Sequence, residues 1–189
     1  MPKIDEEEIK RVYIQADLLY SEAEVEQAIN KLAALVTEDM ADKTPVVFPV
    51  LNGGLVVGGK LLTKLNFPLE AGYLHATRYR NTTSGHSLEW LMKPQIDVKG
   101  RAVLIVDDIF DEGITLTEIV NYCHAEGASE VKVAVLVHKN HNRTPTATPV
   151  LQADFIGLEI EDRYVFGYGM DYKGYWRNAP GIFAVRERE

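Results

Sequence analysis

The sequence predicts an α/β protein, with a mainly parallel central sheet flanked by helices. Three observations predict it. Ala102 to Val106 is a short continuous apolar run rich in Val and Ile, as in a strand buried on both faces. That run passes through a polar turn into Leu116, Ile119, Val120 and Cys123, which stand at helical spacing. The same strand–turn–helix order occurs earlier, where Pro45 to Leu51 meets Asn52-Gly53-Gly54 and then Leu55, Leu61, Leu62 and Leu65.

The elements follow in chain order. Residues 5–19 suit a helix with Ile9, Val12, Tyr13 and Ala16 on one face, and Asp5 to Glu8 form its charged start. Ser21-Glu-Ala-Glu24 is a capping-box pattern that opens a helix to about residue 38, with Val25, Ala28, Ile29, Leu32, Leu35 and Val36 as its stripe. Leu69 to Arg80 alternates as a strand, and the polar stretch Asn81 to Ser87 separates it from another at Leu88 to Met92. Val131 to Val137 is a further apolar strand that ends at His138-Lys139. Residues 140–149 form a loop, and Ala153 to Leu158 a last short strand.

Composition sets limits. The chain has 189 residues, 46% of them hydrophobic, which suits one domain with an ample core. A formal charge of −8 argues against nucleic acid as a partner. One cysteine, Cys123, excludes an intrachain disulfide and fits a reducing, cytoplasmic setting; it lies on an apolar helix face, as a buried thiol does. Met1-Pro-Lys-Ile4 runs into acidic residues without a leader pattern, and no apolar run approaches a membrane span. His138 and His141 lack a third ligand, so zinc is not expected.

The chemistry concentrates in the turn after the central strand. Asp107 and Asp108 sit at the strand end, where ligands bind in open α/β sheets. Carboxylates there can accept hydrogen bonds from sugar hydroxyls or hold Mg²⁺ through water. Asp111, Glu112, Gly113, Ile114 and Thr115 then lead into a helix N-terminus, whose N–H groups and dipole suit a phosphate. Both halves together fit a sugar phosphate. Asn52-Gly53 at the earlier strand end exposes further N–H groups to an anion.

The run Val106 to Leu116 resembles the phosphoribosyl-diphosphate (PRPP) signature of the type I phosphoribosyltransferases. The resemblance implies that Asp107 and Asp108 bind the ribose hydroxyls and that Asp111 to Thr115 cradle the 5-phosphate. The family usually carries Thr or Ser where Glu112 stands; a carboxylate repels phosphate, so Glu112 is expected to point away. It often has Lys or Arg where Asn52 stands, so pyrophosphate must rely on backbone amides, metal and other residues. The loop at 81–87 matches one that closes over the active site in the family, and Arg78 and Tyr79 at its base are candidates for pyrophosphate contact.

The tail, Asp162 to Tyr172 followed by Tyr175-Trp-Arg177 and Pro180, resembles that of the hypoxanthine-guanine branch. The resemblance implies that Tyr164 stacks on the purine and that Val165 meets the base edge through its backbone. Asp171 would hold Mg²⁺ with pyrophosphate, and Arg177 would contact pyrophosphate. Asp111 would act as general base at the purine N7, and Lys139 would donate to the 6-oxygen. Asp107 and Asp108 would share in holding Mg²⁺. The implied fold is that of a type I phosphoribosyltransferase over residues 1–189: a core at about 38–158 and a small hood at about 159–189 with N-terminal help. The implied reaction joins PRPP to hypoxanthine or guanine, giving IMP or GMP and pyrophosphate, in a homodimer or homotetramer.

Other readings remain. Xanthine or another purine could be the substrate. A nucleotide-sensing RNA-binding regulator could keep the same fold, although the acidic balance opposes it. A two-component receiver would need its paired acids near the N-terminus, and a haloacid-dehalogenase-type phosphatase would need Asp-x-Asp on its first strand.

Overall fold

The computed structural model describes residues 5–78, 88–141 and 152–186. The loop at 81–87, Tyr79 and nearly all of the 140–149 loop lie outside them. Helix α1 (Glu6–Gln15) starts at Asp5, whose side chain accepts from the Glu7 N–H. It is shorter than expected, because Asp17–Ser21 is not helical but a strand, β1. Its partner lies at the other end of the chain, so no local pattern marks it. Ser21 then caps α2 (Glu22–Met40) with the full capping box. Strand β2 (Val46–Leu51) leads through Gly53 into α3 (Gly54–Leu62), and Leu65 is buried just beyond that helix rather than on it.

The strand expected at 69–80 is interrupted. β3 (Glu70–Ala71) and β4 (Leu74–Arg78) both pair parallel with β2, on either side of a break at Gly72-Tyr73. Gly72 suits the break: a side chain there would press on Phe48 and Ile96. β5 (Leu88–Met92) returns antiparallel to β4. β6 (Ala102–Phe110) runs past the apolar segment and carries both acidic residues, and α4 (Ile114–Ala125) follows it. β7 (Glu130–Asn140) and β8 (Phe155–Glu161) also reach further than their apolar runs. β9 (Val165–Phe166) and β10 (Gly181–Ala184) complete the tail.

Among the described residues, the main sheet has the order β5-β4-β2-β6-β7-β8, with β3 beside β2. All its pairings except β4–β5 are parallel. Alternate residues feed two cores, as a parallel sheet covered on both faces requires. Leu104, Val106, Ala134 and Leu136 pack towards α2 and α3, whereas Val103, Ile105, Val133 and Val135 pack towards Leu116, Ile119 and Cys123 of α4. Helix α2 therefore belongs to the main layer, although it begins well before residue 38.

A second, three-stranded sheet has the order β1-β10-β9, all antiparallel. Helix α1 docks on the tail beside it. Tyr13 stacks on Trp176 with centroids 4.5 Å apart, and the Trp176 indole N–H donates to the Ile9 carbonyl at 2.6 Å.

Candidate active site

The carboxyl ends of β2, β4, β6 and β7 and the start of the tail enclose a cleft of about 510 Å³. Its wall includes Asn52, Gly53, Asp107, Asp108, Asp111, Glu112, Gly113, Ile114, Thr115, Lys139, Tyr164, Val165, Asp171 and Arg177. Residues more than a hundred positions apart thus meet at one cleft. Arg78 ends β4, and Tyr79 lies outside the described residues.

Three further features of the wall bear on the sequence reading. Glu112 is part of the wall. It immediately precedes the helix N-cap, so a tight turn keeps it beside its neighbours. His75 and Thr77 of β4 also line the cleft and were not singled out. Strand alternation could have flagged them, since both fall on one face of β4.

The turn after β6 is built around Gly113, the N-cap of α4, with φ 70°. An L residue rarely adopts that conformation, and a Cβ there would strike the Phe110 ring. Glycine therefore leaves the turn close against β6. The Thr117 N–H and hydroxyl both donate to the Gly113 carbonyl at 2.8 Å, which pins the first helical turn.

Asp107 and Asp108 stand on β6, ahead of this turn. The Asp108 N–H donates to Asp107 Oδ1 at 2.9 Å. Burial first, and then the Asp108 charge, hold the Asp107 carboxyl well above the usual carboxylate range. Burial raises Asp108 too, with opposing help from Asp107 and Arg177. Asp108 is packed tightly: a Cβ at Gly53 would run into its carboxylate, and one at Gly169 would hit Gly53's carbonyl. The Leu51–Asn52 peptide leading into this loop is cis.

The tail supplies the positive charge. Arg177 places one guanidinium nitrogen 2.6 Å from Asp171 Oδ1, and another donates to the Gly169 carbonyl at 2.5 Å and lies 4.0 Å from Asp108. Asp171 Oδ2 accepts from the Gly174 N–H at 2.6 Å. Tyr164 is 55% exposed, so its ring is open to a stacking partner, and its hydroxyl donates to the Asp171 carbonyl at 3.3 Å. Lys139 Nζ lies 3.3 Å from Asp111 Oδ2 and 3.8 Å from Asp162 Oδ1.

The donor set suits Mg²⁺. The wall offers hard carboxylate oxygens from Asp107, Asp108 and Asp171, and no thiol. Among the described residues no group of three or more His, Cys, Asp or Glu could enclose an ion. Mg²⁺ commonly keeps several waters and takes further oxygens from substrate phosphates.

Known proteins are similar to this chain along most of its length. A hypoxanthine-guanine-xanthine phosphoribosyltransferase of Tritrichomonas foetus is 33% identical over 170 residues, covering 90% of this chain and 91% of that protein. A hypoxanthine-guanine phosphoribosyltransferase of Bacillus subtilis (strain 168) is 32% identical over 170 residues, covering 89% and 92%. A solved hypoxanthine-guanine-xanthine phosphoribosyltransferase superposes with a TM-score of 0.80 at 31% identity, covering 90% of this chain and 97% of its own. Residues 15–173 match the phosphoribosyl transferase domain, and the chain therefore belongs to the phosphoribosyltransferase family, with its type I fold.

Proposed function

We propose that this chain transfers the 5-phosphoribosyl group from PRPP to hypoxanthine or guanine, a purine-salvage reaction that releases pyrophosphate. The observation that carries it is the cleft's polarity. A glycine-turned helix N-terminus, paired acids, an exposed Tyr164 and a Lys139–Asp111 pair all line it.

In this reading the N–H groups at the start of α4 hold the 5-phosphate, and Asp107 and Asp108 take the ribose hydroxyls. Breaking the anomeric C–O bond leaves positive charge on the ribose, which nearby carboxylates favour electrostatically. Mg²⁺ held by Asp107, Asp108 and Asp171 would supply charge neutralisation at the departing pyrophosphate. Arg177 and the backbone at Asn52-Gly53 bind pyrophosphate, with Arg78 and Tyr79 as further candidates. Tyr164 stacks on the purine, and Val165 meets its edge. Asp111 takes or holds the N7 proton, and Lys139 donates to the 6-oxygen with one of its three N–H groups. Adenine presents a donor at that position, so donor would face donor and adenine is refused. The small sheet β1-β10-β9 acts as the hood over the base, and the loop at 81–87 as a lid. The enzyme works in the cytoplasm as a homodimer or homotetramer, a part of the reading that rests on resemblance and on the single buried cysteine.

Xanthine is a second candidate base, because the Tritrichomonas foetus relative carries xanthine in its name. One assay with PRPP, Mg²⁺ and four purines tests both readings. Turnover with hypoxanthine or guanine and none with adenine is expected; adenine used as well as the 6-oxopurines overturns the reading. Lys139→Ala should weaken 6-oxopurine use by about tenfold or more. An equal loss with every base would remove its assignment.

A further inference from the structure

We propose that His141 is a positioning residue for this reaction, fixing the Asp111 carboxylate that faces the purine. The inference rests on the reading of Asp111 as the group that meets N7.

His141 follows the end of β7, two residues after Lys139. Its Nε2 lies 3.3 Å from Asp111 Oδ1 and 3.2 Å from the Asp111 main-chain carbonyl. Lys139 Nζ lies 3.3 Å from the other carboxylate oxygen, Oδ2. One partner thus stands at each oxygen, and together they resist rotation of the carboxylate about its Cβ–Cγ bond. Both groups near Nε2 are acceptors, so Nε2 carries the proton and donates. His141 also grips the backbone of Asp111, which ties the acidic turn to the end of β7.

Burial makes the arrangement stiff. The side chains of His141 and Lys139 are only 10% and 11% exposed, so water does not readily replace either. His141 Nδ1 is buried and has no hydrogen-bond partner among the described residues. The ring's polar commitment is therefore to Asp111. A base held this way stays aimed at the reacting proton, and small misplacements of such a group slow chemistry sharply.

The test compares single-turnover rates, so that product release does not mask the chemical step. His141→Leu should slow single turnover by about tenfold or more, with the KM for PRPP within about twofold, because positioning acts on the base. His141→Gln keeps an N–H at similar reach and should recover most of the rate. His141→Asn is polar but too short; it should be slow, and it serves if His141→Leu does not fold. The double variant with Asp111→Asn should be no slower than Asp111→Asn alone, since His141 acts through Asp111.

Wild-type rates in His141→Leu or His141→Asn overturn the proposal, as does a His141→Gln variant as slow as His141→Leu. Additive losses in the double variant also overturn it. If Asp111→Asn itself turns over at the wild-type rate, the N7 reading fails and this inference falls with it. That outcome is distinct from a slow Asp111→Asn beside a normal His141→Leu.

Discussion

Burial and the neighbouring Asp108 carboxylate push Asp107 well above the usual carboxylate range, which makes this residue a cost to the ligand-free fold. The unfolded chain releases the proton near pH ~4, whereas the folded chain keeps it to higher pH. The native state therefore binds more protons between those two values, and stability falls as pH rises through that window. Asp107→Asn removes the penalty. It should raise Tm at pH 7–8, by about 2–4 °C for each kcal/mol recovered, while abolishing turnover. The gain should vanish as pH falls towards ~4, and thermal melts across that range check it. Cys123 behaves differently. Burial pushes its thiol up to about 11, and the residue is fully enclosed on the inner face of α4. A thiol-specific reagent at pH 8 should leave it unlabelled until the protein unfolds.

The turn from β6 into α4 shows how one element sets a site. Nine strand residues end at Phe110, and the chain reverses within three residues because Gly113 takes a left-handed conformation. Phe110 fills the space a side chain at Gly113 would need, and its ring also packs 5.5 Å from that of His138 on β7. Gly113→Ala should destabilise the protein by more than about 1 kcal/mol and should weaken PRPP binding as well. Denaturant unfolding and PRPP titration check the two effects. A loss of stability with PRPP affinity intact would separate the turn from the phosphate site.

Across the whole molecule, the small sheet must sit correctly over the main one. Tyr168 carries much of that docking: its hydroxyl donates to Glu26 of α2 at 2.8 Å, and Glu26 also pairs with Lys60 of α3. Lys60 lies over the Tyr168 ring, 5.3 Å from its centroid. Two helices of the main layer thus hold the residue next to Gly169, whose carbonyl accepts from Arg177. Tyr168→Phe should cost about 1 kcal/mol in stability. It should also raise the KM for PRPP more than it lowers the chemical rate, because Arg177 is displaced and Asp111 is not. A rise in neither would show that the docking does not reach Arg177.

The sequence alone determined the main layer and the chemistry of its turns. Continuous apolar runs, helical spacing, the capping box at Ser21 and the acidic strand end are local signals, and local sterics and burial are enough to produce them. They placed β2, β6, β7 and α2, and they put Asp107 and Asp108 shortly before the turn that holds Gly113. Tertiary structure decided what depends on distant partners. β1 is a strand only because Asp17 pairs with Ala184, and β3 parts from β4 because Gly72 lies against Phe48 and Ile96. Arg177 comes within 4.0 Å of Asp108, and His141 meets Asp111, only when segments separated in the chain end at the same edge of the sheet. A single chain carries no local pattern for such meetings, because each partner's neighbours in sequence are indifferent to the other until the sheet closes.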